Sequence, residues 1–218
     1  MSTRRSLQTA PSEDDLYRVV AGPARAEIRD RGSRFLAQCF PARDEDGARR
    51  QVQQIATRHH DATHHCWALV LGHGSRALRR SSDAGEPAGT AGPPILAAID
   101  KRRLTGTLVV VTRWFGGTKL GTAGLIRCYG GAAGEALEAA GAQQCRRESR
   151  VSLEVEHTDV ASVQRVVFGA GGRFAEEAYG ARARLMAVVL PSQESALRER
   201  LVEATAGRVC FLPDTEDD

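Results

Sequence analysis

The chain has 218 residues, 42% of them apolar and 26% charged, with a formal net charge of +3. That length and balance allow one large or two small domains with a real core and exclude wholesale disorder. The charge is too small to mark a nucleic-acid binder by itself, so its distribution along the chain carries that question.

No apolar stretch reaches the roughly 18 residues of a membrane span, and the first 15 residues lack the apolar core of a secretory signal. Five cysteines (Cys39, Cys66, Cys128, Cys145, Cys210) are scattered without a CxxC pair. They read as reduced thiols, and the expected compartment is the cytoplasm, with no membrane partner. Aromatic residues are only 5% and glycines number 22, so the cores should be aliphatic and the backbone unusual at several places.

In chain order, residues 1–15 read as a mobile tail. Residues 16–20, 24–29 and 34–40 read as strands. Residues 44–60 have helical periodicity, with Val52, Ile55 and Ala56 on one face and Asp44 as the N-cap. CWALVL at 66–71 reads as a strand and 75–80 as its hairpin partner. A helix is expected over 93–101, because proline suits a first turn. GTLVVVT at 106–112 is the clearest buried strand, and 125–140 is an alanine-rich helix. A polar run at 143–150 reads as a linker. After it the pattern is a strand at 151–156, a helix at 158–169 capped by Thr158 or Asp159, and strands at 172–178 and 184–190. A helix at 192–206 and a strand at 208–212 complete it. The β-α-β-β-α-β order over 151–212 is that of a ferredoxin-like domain. An acidic tail, 213–218, follows. The fold class is therefore α+β, with a first domain over 16–142 and a second over 151–212.

The informative segment is 83–131. There, a buried strand ends in Arg113 and Trp114, Gly116 and Gly117 release the backbone, and Gly121 and Gly124 lead into a helix. Strand, glycine loop and helix start present backbone N–H groups to an anion. Arg113, Lys119 and Arg127 lie in or beside this loop. Residues 101–134 hold six basic side chains and no acidic one. The alternative is that the glycines only permit tight turns and close packing. No Walker-type phosphate loop is present.

Three ordered motifs, ATHHCWA at 62–68, DAGEPAGTAGPP from Asp83 and RWFGGTKLG at 113–121, resemble the IMPACT / YigZ family over nearly the whole chain. Ala84 replaces a usual aspartate, Trp114 a usual tyrosine and Ala123 a usual glycine. The resemblance implies a first domain similar to ribosomal protein S5 domain 2 and a ferredoxin-like second domain similar to elongation-factor domains. It also implies translational control, since eukaryotic relatives compete for the activator of an initiation-factor-directed kinase. It brings no cofactor and no metal.

Around the acidic loop, Asp83, Gly85, Glu86, Thr90 and His65 are the candidate site residues. The two carboxylates could do acid–base work, but the expectation is that Asp83 closes a turn and Glu86 pairs with Arg113 or Lys119. His59, His60, Asp61, His64, His65 and Cys66 are dense enough to suggest zinc, although the helix pattern ends near Asp61. Cys66 could be a nucleophile beside a histidine, but its place at a strand start suggests burial. Ser33 and Arg34, at a strand entry, could face the same surface.

The leading expectation is a translation-linked module binding RNA or a ribosome-associated protein, with a small anion such as phosphate or sulfate as the simplest ligand. An enzyme acting on an anionic small molecule and a protein–protein adaptor are the alternatives. In the second domain Phe168, Phe174, Tyr179 and Phe211 do not make the aromatic pattern of RNA-recognition sheets. Arg165, Arg173, Arg182 and Arg184 could touch phosphate or be a solvated face.

Overall fold

A computed structural model describes residues 12, 15–73 and 77–213. They form a mixed α+β protein in two compact units: Tyr17–Cys145, and residues from Arg146 onward together with Ser12, Asp15 and Leu16.

The first unit is built on a five-stranded antiparallel sheet in the order β2-β3-β6-β4-β5. The strands are β2 (Ala24–Asp30), β3 (Ser33–Pro41), β4 (His64–Leu71), β5 (Leu78–Ser82) and β6 (Thr107–Trp114). Central β6 (TLVVVTRW) is buried along nearly its whole length because helices cover both faces. On one face Val109 and Val111 pack with Phe35, Ala37, Cys66 and Ala68 under α2 (Gly92–Lys101) and α3 (Gly121–Ala140). On the other, Leu108, Val110 and Leu69 meet Ala48 and Ile55 of α1 (Glu45–Arg58). Asp44 caps α1 by accepting the Gly47 N–H at 2.6 Å. A separate two-stranded ribbon pairs β1 (Leu16–Val20) with β7 (Ala142–Arg146).

The second unit runs β8 (Ser149–Val155), α4 (Val160–Gly169), β9 (Arg173–Tyr179), β10 (Ala183–Val189), α5 (Pro191–Ala204) and β11 (Cys210–Phe211). Its sheet order is β11-β8-β10-β9, all antiparallel. Val163, Val167, Leu197 and Leu201 of the two helices cover Val151, Leu153, Leu185 and Ala187. Among the described residues no helix is long and apolar enough to cross a membrane.

Several sequence expectations are corrected. Residues 143–150 are no simple linker: β7 takes the first half of them and β8 has begun by Ser149. The run is polar because a two-stranded ribbon is held by its backbone and needs no apolar face. The partner of β4 is Leu78–Ser82, later than expected, and 74–76 lie outside the described residues. Helix α3 starts at Gly121, before the alanine-rich part, and its first turn is tight: a Cβ on Gly124 would stand 3.0 Å from the Leu120 Cβ. Asp159 sits at the α4 N-cap but binds Arg208 at 2.7 and 3.0 Å instead of capping. Of the expected terminal tails, residues 1–11, 13–14 and 214–218 lie outside the described residues. Asp15 is no tail residue: it is fully buried.

The Asp15 carboxylate accepts from the Ser192 N–H at 2.9 Å, the Ser192 hydroxyl at 2.6 Å and the Ser12 N–H at 2.7 Å. It thereby caps α5, whose own N-cap residue, Leu190, supplies no side-chain bond. Replacing it (Asp15→Ala) should cost the second unit about 1–2 kcal/mol in urea unfolding. Burial pushes the Asp15 carboxyl up, but the bonds from Ser192 and Ser12 outweigh it and bring it to about 2, below its ordinary 3.8. The cap therefore stabilises fully above pH 3.8 and is lost as the pH falls through about 2, so the gap between wild type and Asp15→Ala should close across that window.

Candidate functional site

One end of the five-stranded sheet gathers most of the candidate residues. In the strand register Phe35 of β3, Arg113 of β6 and His64 of β4 are cross-strand neighbours on the face toward α2 and α3. Glu86, from the loop between β5 and α2, closes over them. Its Oε1 accepts from Arg113 Nη1 at 2.5 Å and from the Tyr129 hydroxyl of α3 at 2.7 Å. Glu86 and Arg113 are 8% and 5% exposed, so this is a buried ion pair. Arg113 Nη2 also reaches Ser33 Oγ at 3.4 Å, and its Nε has no hydrogen-bond partner among the described residues. Arg113, expected among the anion-facing groups, thus lies in the interior.

His64 fills the next place. Its Nδ1 stands 2.9 Å from the Ala84 carbonyl, which can only accept, so Nδ1 carries the proton and Nε2 faces Glu86 at 3.9 Å. His65, the histidine singled out from sequence, points to the opposite face of the sheet, where its Nδ1 lies 3.2 Å from Thr112 Oγ1. Burial pushes the His65 ring below its usual pKa. Consecutive strand residues alternate faces, so the choice between His64 and His65 depended on the register with β6.

Asp83 organises the acidic loop. Its carboxylate accepts the N–H groups of Gly89, Ala91 and Gly92 at 2.8–2.9 Å, capping α2 from eight or nine residues upstream. Burial pushes this carboxyl up, but the three backbone bonds prevail and lower it. Thr90 is buried and donates to the Pro87 carbonyl at 2.7 Å. Gly85 has φ +90° and packs against His64, where a Cβ would meet Nδ1 at 3.2 Å. Ala84 has φ +44°, a left-handed conformation that alanine adopts at a cost. The Cys66 thiol donates to the Asp83 carbonyl at 2.9 Å, and burial pushes its pKa up to about 12. That removes it as a nucleophile near neutral pH. Burial also raises the Tyr129 hydroxyl, with Cys66 and Glu86 adding to the shift.

The glycine loop between β6 and α3 lies at the same end of the sheet. Gly116 is wedged against the β2–β3 turn: a Cβ there would fall 1.9 Å from the Gly32 carbonyl carbon. Its N–H donates to Ser33 Oγ at 3.2 Å, so buried Ser33 ties the loop to the turn. Gly117 (φ +86°) and Gly121 (φ +72°) are open, whereas Gly124 is a buried packing position in α3. Lys119 is exposed and makes no ion pair among the described residues. Arg127 is exposed but pairs with Asp30 at 2.6 Å. Sequence reasoning named His64 only in the histidine cluster and missed Tyr129, Phe115 and Arg31. Exposed Arg31 sits in the turn that Gly116 packs against, at φ +45°. Only Phe115, inside the glycine motif, had a local signal.

The histidine cluster does not converge. His65 leaves on the opposite face from His64 and Cys66, and Asp61 accepts from Trp114 Nε1 at 2.8 Å. Among the described residues no three His, Cys, Asp or Glu side chains gather as a metal site requires. Of the second unit's arginines named from sequence, Arg173 is paired with Glu148, Arg182 with Glu154 and Glu156, and Arg184 with Glu154, while exposed Arg165 makes no ion pair among the described residues.

The Impact N-terminal domain family matches residues 31–137, and a domain of unknown function, DUF1949, matches residues 153–208. The chain is 32% identical to the IMPACT family member YvyE of Bacillus subtilis, over 88% of each chain. It is 31% identical to the IMPACT family member YigZ of Escherichia coli, over 89% of this chain and 96% of that one. A solved structure of a hypothetical protein superposes with a TM-score of 0.65 at 27% identity, covering 93% of this chain and 99% of that one.

Two substitutions test the site's construction. Glu86→Gln leaves a buried guanidinium without its counter-charge and should cost on the order of 3 kcal/mol in urea unfolding, with part of the loss recovered in Glu86→Gln/Arg113→Met. Ala84→Gly relieves the left-handed backbone and should raise stability by about 0.5–1 kcal/mol in the same measurement.

Proposed function

Since the chain belongs to the IMPACT family, we propose that it is a translation-linked binding protein that engages RNA or a ribosome-associated partner through the outer glycine loop. It acts in the cytoplasm, and the anion-facing groups are Lys119, Arg31 and the open backbone at Gly117 and Gly121, whereas Arg127 at the rim is already paired with Asp30. In this reading Glu86, Arg113, Asp83, Gly85, Thr90 and Ser33 build the platform, while Gly116 and Gly124 let its parts pack closely. The unit of residues 146–213 is read as ferredoxin-like from its β-α-β-β-α-β order, and Tyr17–Cys145 as similar to ribosomal protein S5 domain 2.

The observation that carries the reading is the division of charge. Of the acidic groups at this end of the sheet, Glu86 is neutralised internally by Arg113, Asp30 is paired with Arg127, and Asp61 accepts from Trp114 Nε1. Among the described residues the outer loop is left with an unpaired Lys119, in a stretch, 101–134, that holds no acidic residue. A surface of that kind attracts phosphate oxygens, whereas the paired arginines of the second unit have their charge satisfied. The enzyme alternative has weaker support. Cys66 is held as a thiol, and Glu86 already accepts from two donors.

Fluorescence anisotropy with labelled RNA tests the reading. Binding should weaken steeply with salt, and Lys119→Ala or Arg31→Ala should reduce the salt slope by about one each. Arg184→Ala, in the second unit, should leave affinity unchanged. Salt-insensitive binding, or affinity unchanged from wild type in both loop variants, would overturn it.

A further inference from the structure

Phe115 is 47% exposed, and among the described residues of Tyr17–Cys145 it is the exposed aromatic side chain. The others are engaged. Phe35 and Tyr129 meet edge to face in the core. Trp114 lies under the Arg34 guanidinium at 4.2 Å and donates to Asp61. Phe40 and Trp67 pack against the cluster under α1.

The backbone that carries Phe115 is pinned on both sides of the ring. Its own N–H donates to Thr63 Oγ1 at 3.0 Å, the next N–H donates to Ser33 Oγ, and Gly116 is locked against Gly32. The buried Arg113 guanidinium carbon lies 5.5 Å from the ring centroid, over one face. The rest of the ring is presented to solvent from a fixed support, four residues before exposed Lys119, which makes no ion pair among the described residues. A rigid, open aromatic ring on a loop that also carries an exposed cation is the combination that single-stranded nucleic acid uses, since an unpaired base stacks on the ring while the cation meets a phosphate. A base inside a duplex has both faces covered by its neighbours and cannot do this.

The exposed aromatics of the second unit lack this setting. The Tyr179 hydroxyl donates to Glu177, so a carboxylate sits where phosphate would have to approach. Phe168 leans edge-on against Phe174 at 5.6 Å.

We infer that the glycine loop receives an unpaired nucleobase on the Phe115 ring, so that the RNA recognised at this surface is single-stranded. The inference rests on the RNA-binding reading above.

The test measures binding of a fluorescein-labelled single-stranded uridine oligonucleotide and of a duplex RNA of equal length. Wild type should bind the single strand at least about tenfold more tightly than the duplex. Phe115→Leu, which keeps the apolar bulk and removes the ring, should weaken single-strand binding about tenfold and leave duplex binding unchanged, while Phe115→Tyr retains wild-type affinity. Equal binding of both RNAs with Phe115→Leu neutral, while Lys119→Ala weakens both, would overturn the stacking inference and leave the anion-binding reading standing. No binding of either RNA by wild type would overturn both.

Discussion

The ion pair between Glu86 and Arg113, with the Tyr129 hydroxyl completing it, is the constraint on which the end of the first unit depends. It joins residues 27 and 43 positions apart in sequence, and so ties the acidic loop, the end of the central strand and the middle of α3 to one point. A buried charge without its partner is costly, and none of the three groups can move without stranding another. Such a pair adds little net stability compared with well-packed apolar groups; its effect is to allow one arrangement and penalise its neighbours.

The surface follows from that interior. With Glu86 held inward, the acidic loop is free to be organised by Asp83, whose carboxylate starts α2 in place of a local cap. With Arg113 held inward, the strand it ends is anchored, and Ser33 can tie the glycine loop to the β2–β3 turn. What remains outside is a short, rigid, basic loop with an aromatic ring on it. The same burial that builds the platform holds Cys66 as a thiol, and this is why the site reads as a binding surface.

Much of the architecture was legible in local pattern. The β-branched run of β6 announced a strand buried on both faces, Asp44 announced the start of α1, and the alternation of VSLEV in β8 announced a sheet with one covered face. The pairing of Glu86 with a base of the glycine motif was readable as a demand for charge neutrality, although Lys119 and Arg113 were equal candidates. The choice between them was tertiary: Arg113 sits on a strand whose inward face meets the loop, and Lys119 on an exposed stretch outside it. Asp15 shows the opposite limit. A polar stretch near the chain start reads as unstructured, and its role became visible only against the N–H groups of α5.

By itself the sequence determined the family and the order of the strands and helices apart from β7. Each of these is written in short-range periodicity or in contiguous motifs. Only the tertiary structure decided which basic groups face inward, which of two adjacent histidines meets the acidic loop, and which glycines are packing contacts and which are open. Those outcomes depend on strand register and on contacts between residues far apart in the chain. A shift of one residue in register exchanges the two faces of a strand, and no local pattern records it.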